Sequence, residues 1–151
     1  MGVGTLGMRS CTRKLEFDAA HRVMRHESKC RNLHGHRYVV EVTASAPELD
    51  DLGRVIDFGE IKRIVGSWID VQLDHGTILN EDDHDLREFV SGQGWKLFLM
   101  DCNPTAENMV VEICNAANTL LSHTGIRVTH VRLYETPNCW SDFSPPCEDL
   151  P

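Results

Sequence analysis

Three histidines, at 21, 34 and 36, and one cysteine, at 30, are the residues best placed to do chemistry. A zinc ion that catalyses takes three protein ligands and keeps a fourth position open, and three neutral imidazoles are one such set. In CRNLHGHRYVVEV, His34 and His36 flank Gly35, so on an extended strand both rings leave the same side and nothing crowds the other. His21 ends the preceding run, RKLEFDAAH. A short connection makes consecutive strands antiparallel neighbours, which brings the third imidazole alongside. Cys30 lies outside the Cys-x-x-Cys spacing of structural zinc. It is either a fourth ligand that closes the site or a thiolate base at its rim, beside Lys29 and Arg31.

Other candidates are weaker on residue type alone. Asp74-His75 follows a helical stretch and can serve as a second acid/base if the chain has left the helix there; otherwise His75 is a helix-terminal cation. Glu135 continues an apolar strand face, so it is either at the solvent end of that strand or held by a partner such as a pair of ligand NH groups. Thr105 and Glu107 read as helix caps. His26, His84, His123 and His130 show no ligand spacing.

The elements that must position these residues follow from periodicity. Leu15, Phe17, Ala19 and His21 alternate with polar residues, as do His36, Tyr38, Val40 and Val42, which predicts two half-buried strands. Asp57 with Glu60 three residues later opens an amphipathic helix through Ile61, Ile64, Val65 and Trp68 toward Leu73. NPTAEN opens a second, capped by Asn103 or Thr105, with Met109, Ile113, Ala116 and Leu120 as its apolar face. Residues 76 to 102 read as a loop ending in a short strand at WKLFLM. The last clear strand, 127 to 136, sets Thr129, Val131, Leu133 and Glu135 on one face. Adjacent strands and grouped helices predict an α+β fold, a mainly antiparallel sheet covered on one side by helices, with subunit association covering the other.

Length and composition bound the rest. A chain of 151 residues fits one domain, 1–151, with residues 1–10 and 144–151 expected to be loosely ordered. No apolar run suggests a membrane span and no export signal opens the chain, so a cytoplasmic location is the expectation. The six cysteines have no framework spacing and read as free thiols. The net charge of −8 divides unevenly: residues 9–37 carry eight Lys and Arg against three acids, +5, and the remainder −13. An acidic chain is a poor nucleic-acid binder, whereas a local basic field suits a small polyanion.

Taken together, FDAAHRV, CRNLHGH, VIDFGEIK, LDHGTILN, NPTAEN and VRLYET resemble, in order and spacing, the 6-pyruvoyltetrahydropterin synthase / 6-carboxytetrahydropterin synthase family over residues 13–143. The resemblance implies the tunnelling fold: an antiparallel four-stranded sheet with two helices on one face, joined into trimers whose sheets form a barrel and stacked as a hexamer. It implies zinc held by His21, His34 and His36, Cys30 as thiol base, and His75 polarised by Asp74 as second acid/base. Glu135 becomes the anchor of a pterin's amino and ring NH groups, with Thr105 and Glu107 near the pterin pocket, which in the family lies between subunits.

The family substrate is 7,8-dihydroneopterin triphosphate. The Cys-x3-His-Gly-His spacing is similar to the carboxy-forming type, which cleaves the side chain, releases acetaldehyde and leads toward 7-deazaguanines and queuosine. The pyruvoyl-forming lyase and a non-catalytic structural zinc protein are the alternatives. Two departures from the family pattern stand out: the stretch between His75 and Asn103 is longer than in compact members, and the tail after Phe143 matches no motif.

Overall fold

The structure, a computed structural model, describes residues 7–146. In chain order it runs β1 (Arg9–His21), a 3-10 turn (Lys29–Arg31), β2 (His34–Ala46), α1 (Phe58–Ile61), a π-helical turn (Lys62–Gly66), α2 (Ser67–Gln72), β3 (Gly76–Asn80), α3 (His84–Gly92), β4 (Leu97–Met100), α4 (Ala106–Leu121), a 3-10 turn (Ser122–Thr124), β5 (Arg127–Thr136) and β6 (Cys139–Phe143). The class is α+β, but the expected four-stranded antiparallel sheet with two helices is corrected. One six-stranded mixed sheet has the order β4-β3-β1-β2-β5-β6. The antiparallel run β1-β2-β5-β6 is extended at one side by β3, parallel to β1, and β4, parallel to β3.

The difference lies in the segment read as a loop. TILN and LFLM are short apolar runs, which periodicity alone does not classify. Here they pair with each other, the first of them also pairs with the last three residues of β1, and α3 crosses between them. At the other edge, Pro137-Asn138 turns the chain back so that Trp140 faces Tyr134. Arg9 and Ser10, expected to be loose, pair with Ala46 and Ser45. Residues 144–146 are irregular, as expected; 1–6 and 147–151 lie outside the described residues.

The alternating patterns fold as read. Leu15, Phe17, Tyr38, Val40, Val42, Val131 and Leu133 form the sheet's buried face, and Ile61, Val65, Ile69, Met109, Ile113 and Leu121 pack on it from the helices. Asp57 caps α1 by accepting from the Gly59 amide, and Thr105 caps α4 by accepting from the Asn108 amide. Two faces are corrected by one position. Ala117 and Leu121, not Ala116 and Leu120, continue the buried stripe of α4. In β5 a bulge opposite Thr43/Ala44 turns Val128 inward in place of Thr129, whose hydroxyl meets Ser45 at 2.6 Å.

The opposite sheet face is polar. Arg37 pairs with Glu16 at 2.6 Å and Asp18 at 2.9 Å, Lys14 with Glu41 at 3.5 Å, and Arg132 with Asp142 at 2.7 Å. Among the described residues, no helix is long and apolar enough to cross a membrane.

Candidate metal centre and its surroundings

The site lies where β1 ends and β2 begins. Their register sets His21 opposite His34 and Ala19 opposite His36, so all three imidazoles leave the helix-covered face together. Gly35 leaves room for this close pairing: a Cβ on it would stand 3.2 Å from the Ala19 carbonyl oxygen, tighter than an ordinary contact. One nitrogen from each ring falls within 4.8 Å of the others.

Hydrogen bonds fix two tautomers. His21 Nδ1 donates to the Pro104 carbonyl at 2.7 Å, and His34 Nδ1 donates to the Asn32 carbonyl at 2.6 Å. Each Nε2 is then a bare lone pair, and the two face one another at 3.2 Å. Two lone pairs so placed repel unless a cation lies between them. His36 Nε2 is buried without a hydrogen-bond partner, 3.5 Å from Glu135 Oε1. Burial pushes the His21 and His36 imidazoles below their ordinary value, which keeps them neutral. The buried neutral rings of His21 and His36, the carbonyl-held Nδ1 protons of His21 and His34, and the convergence of one nitrogen from each ring fit a three-imidazole metal site; nitrogen ligands at the usual zinc distance stand about 3.3 Å apart.

Around this centre the predicted residues divide into two groups. Cys30, Thr105, Glu107 and Glu135 line one cleft of about 310 Å³ with His21. Cys30 sits in the 3-10 turn, whose carbonyl accepts from the Val23 amide at 2.9 Å, folding the basic loop back onto the exit of β1. Glu135 continues the inward face of Val131 and Leu133, which carries its carboxylate to His36 and, at 4.0 Å, His21; the β5–β6 register slips beside it, between Tyr134 and Thr136. His75 instead lines a second hollow of about 520 Å³, with Gly35, His36, Trp95 and Lys96. His75 Nδ1 donates to Asp74 Oδ2 at 2.7 Å, Asp74 Oδ1 accepts from the Asp18 amide at 2.9 Å, and the ring itself is 77% exposed.

Several residues without a sequence-level assignment hold the site. Pro104 fixes His21, while Asn103 exchanges hydrogen bonds with both the amide and the carbonyl of Met24, at 3.1 and 3.0 Å. NPTAEN thus acts through its first two residues as well as its cap; the motif itself was the available signal. Tyr38, directly below His36 on the strand, is buried with its hydroxyl unpartnered among the described residues, and burial with nearby Glu135 raises its phenol. Arg22, part of the basic segment, is committed to an ion pair with buried Asp83. The five described cysteines are free, and burial raises the Cys11, Cys102 and Cys114 thiols, the last to about 11, which keeps them protonated. Cys147 lies outside the described residues.

Comparison with known proteins follows the same lines. The profile of the 6-pyruvoyl tetrahydropterin synthase family matches residues 10–146. A Rickettsia conorii protein named 6-carboxy-5,6,7,8-tetrahydropterin synthase is 45% identical over 135 residues, covering 88% of this chain and 98% of its own. A Haemophilus influenzae protein of the same name is 30% identical over 138 residues, covering 87% and 96%. In structure, an uncharacterised Wolinella succinogenes protein aligns with TM-score 0.79 at 21% identity over 92% of this chain and 99% of its own. The Caenorhabditis elegans 6-pyruvoyl tetrahydropterin synthase aligns with TM-score 0.67 at 23% identity, covering 94% and 99%.

Proposed function

Because the chain belongs to the 6-pyruvoyl tetrahydropterin synthase family, we propose that it is a zinc-dependent lyase converting 7,8-dihydroneopterin triphosphate to 6-carboxy-5,6,7,8-tetrahydropterin, with release of acetaldehyde and triphosphate. That product leads toward 7-deazaguanines and queuosine. The carrying observation is the convergence of three imidazoles beside a cleft that holds one thiol and one inward carboxylate. The carboxy-forming outcome rests on relatives that bear that name.

In this reading His21, His34 and His36 hold zinc. When bound, the ion supplies Lewis acidity toward side-chain hydroxyls of the substrate and so acidifies the adjacent C–H bonds. Glu135, on the inward face of β5, pairs two oxygens with the pterin's amino and ring NH groups. Cys30 takes or returns a proton from one side of the substrate. His75, with its Nδ1 proton held by Asp74, presents Nε2 to do the same from the other. Thr105 and Glu107 border the cleft.

Cys30 and His75 line different hollows of one chain, so a shared substrate needs a neighbouring subunit to bring the two together. The sheet supports such an assembly. β1 pairs with β3 only over Ala19–His21, and β6 is an edge strand, which leaves two backbone edges available for strand addition between subunits. A dimer of trimers that closes the polar sheet faces into a barrel is the proposed form.

The test is incubation of zinc-loaded protein with dihydroneopterin triphosphate and mass detection of products. Carboxytetrahydropterin with acetaldehyde supports the reading; a pyruvoyl product or no product overturns it. A second reading draws on the 3.5 Å approach of Glu135 to His36, in which the carboxylate is a fourth ligand and the site is structural. Glu135→Gln discriminates: zinc retained with substrate affinity lost supports the pterin anchor, and zinc lost supports the closed site.

A further inference from the structure

His75 stands at the end of an irregular helix terminus. The amides of Leu73 and Asp74 both donate to the Ile69 carbonyl, at 2.8 and 2.9 Å, so the Asp70 carbonyl loses the partner that a regular helix would give it. His75 then adopts φ +58°, a left-handed conformation disfavoured for a residue with a Cβ. Such a turn persists only where its surroundings determine it.

One side chain does most of this. Lys96 Nζ donates to the orphaned Asp70 carbonyl at 2.7 Å and to the Asp74 carbonyl at 2.6 Å. Its stem lies against Gly76, where a Cβ would come within 2.9 Å of Lys96 Cδ. Its own carbonyl accepts from the Thr77 amide at 3.0 Å, locking the start of β3. The ammonium also helps to keep Asp74 ionised, secondary to the hydrogen bonds from Asp18 and His75. We propose that Lys96 is a positioning residue: it clamps the Asp70–Gly76 turn so that the Asp74 carboxylate holds His75 in its Nδ1–H tautomer, with Nε2 presented to the second hollow. This deepens the reading of His75 as a proton carrier and rests on it for the catalytic consequence, though not for the tautomer.

The experiment compares the full chain with Lys96→Met and Lys96→Arg, the latter retaining two donors. The His75 tautomer is read from side-chain ¹³C and ¹⁵N shifts, with zinc content, kcat and KM measured on the same preparations. In Lys96→Met the Nδ1–H tautomer is expected to give way to the Nε2–H form preferred by free imidazole, with kcat about tenfold lower and KM and zinc content unchanged; Lys96→Arg restores both tautomer and kcat. Should Lys96→Met fail to fold, Gly76→Ala, which displaces the Lys96 stem, reports the same tautomer change. An unchanged Nδ1–H signal in Lys96→Met, or a kcat loss that Lys96→Arg does not restore, overturns the proposal. A tautomer change in protein that turns over no pterin substrate supports the clamp and overturns the assigned reaction.

Discussion

The metal-free site should make the protein acid-sensitive in a narrow pH window. Burial, opposed by the Pro104 hydrogen bond and by Glu135, pushes the His21 imidazole below 6.5; burial does the same to His36. In the unfolded chain both titrate at the ordinary value, so below that value the unfolded state binds protons that the native state refuses. Stability is therefore full above pH 6.5 and falls as pH drops toward the native values. The slope approaches about 1.4 kcal/mol per pH unit for each imidazole, about 2.7 for both. The carboxylates with depressed values, Asp50, Glu60, Asp74 and Asp142, have ordinary values of 3.8 to 4.5 and release their contribution only below that range. Urea unfolding with a chelator, at fixed protein concentration and ionic strength between pH 7 and 5, thus isolates the two histidines. His36→Gln, which cannot charge, should reduce the slope to about half. A stability that is flat from pH 7 to 5, or a slope that His36→Gln leaves unchanged, would refute the assignment of these rings as neutral when native.

Two further outcomes test separate parts of the site. Arg22→Met strands the Asp83 carboxylate, only 1% exposed, and since Arg22 is itself 29% exposed the expected loss is about 2–3 kcal/mol, below the usual cost of breaking a fully buried pair. A urea midpoint shift worth less than 1 kcal/mol would show that water replaces the guanidinium, and Arg22→Met with Asp83→Asn should recover part of the loss. His34→Ala should abolish both zinc content and turnover, whereas Cys30→Ala should keep zinc and lose turnover; zinc loss in the Cys30 variant, by elemental analysis, would place that thiol on the metal.

Local patterns carried far because they are short-range. The period-2 runs through Phe17 and Tyr38 put His21, His34 and His36 on one face, and only the antiparallel register was needed to bring them together. The caps at Asp57 and Thr105 likewise depend on the next two or three residues. Single-residue displacements were not legible. The bulge that exchanges Thr129 for Val128 arises from pairing with a strand distant in sequence and leaves no mark on the alternation, which did set Glu135 on the face of Val131 and Leu133. TILN and LFLM were opaque for a related reason: a four-residue apolar run takes its state from its neighbours, and here those are each other and, for TILN alone, the end of β1.

The stretch between His75 and Asn103, which on sequence departs from compact relatives without touching a proposed catalytic residue, turns out to brace the site from two directions. Asp83, at the head of α3, holds Arg22, the residue after His21. Lys96, just before β4, holds the turn that carries Asp74 and His75. Both anchors hang on the parallel pairing of β3 with β1 and β4, which is confined to three and four residue pairs. Loss of that short ladder would release the proposed metal ligand His21 and the proposed proton carrier His75 together. The strands β3 and β4 and helix α3 are therefore better understood as part of the site's support than as decoration at the sheet edge, and shortening this segment should cost metal affinity and turnover in parallel.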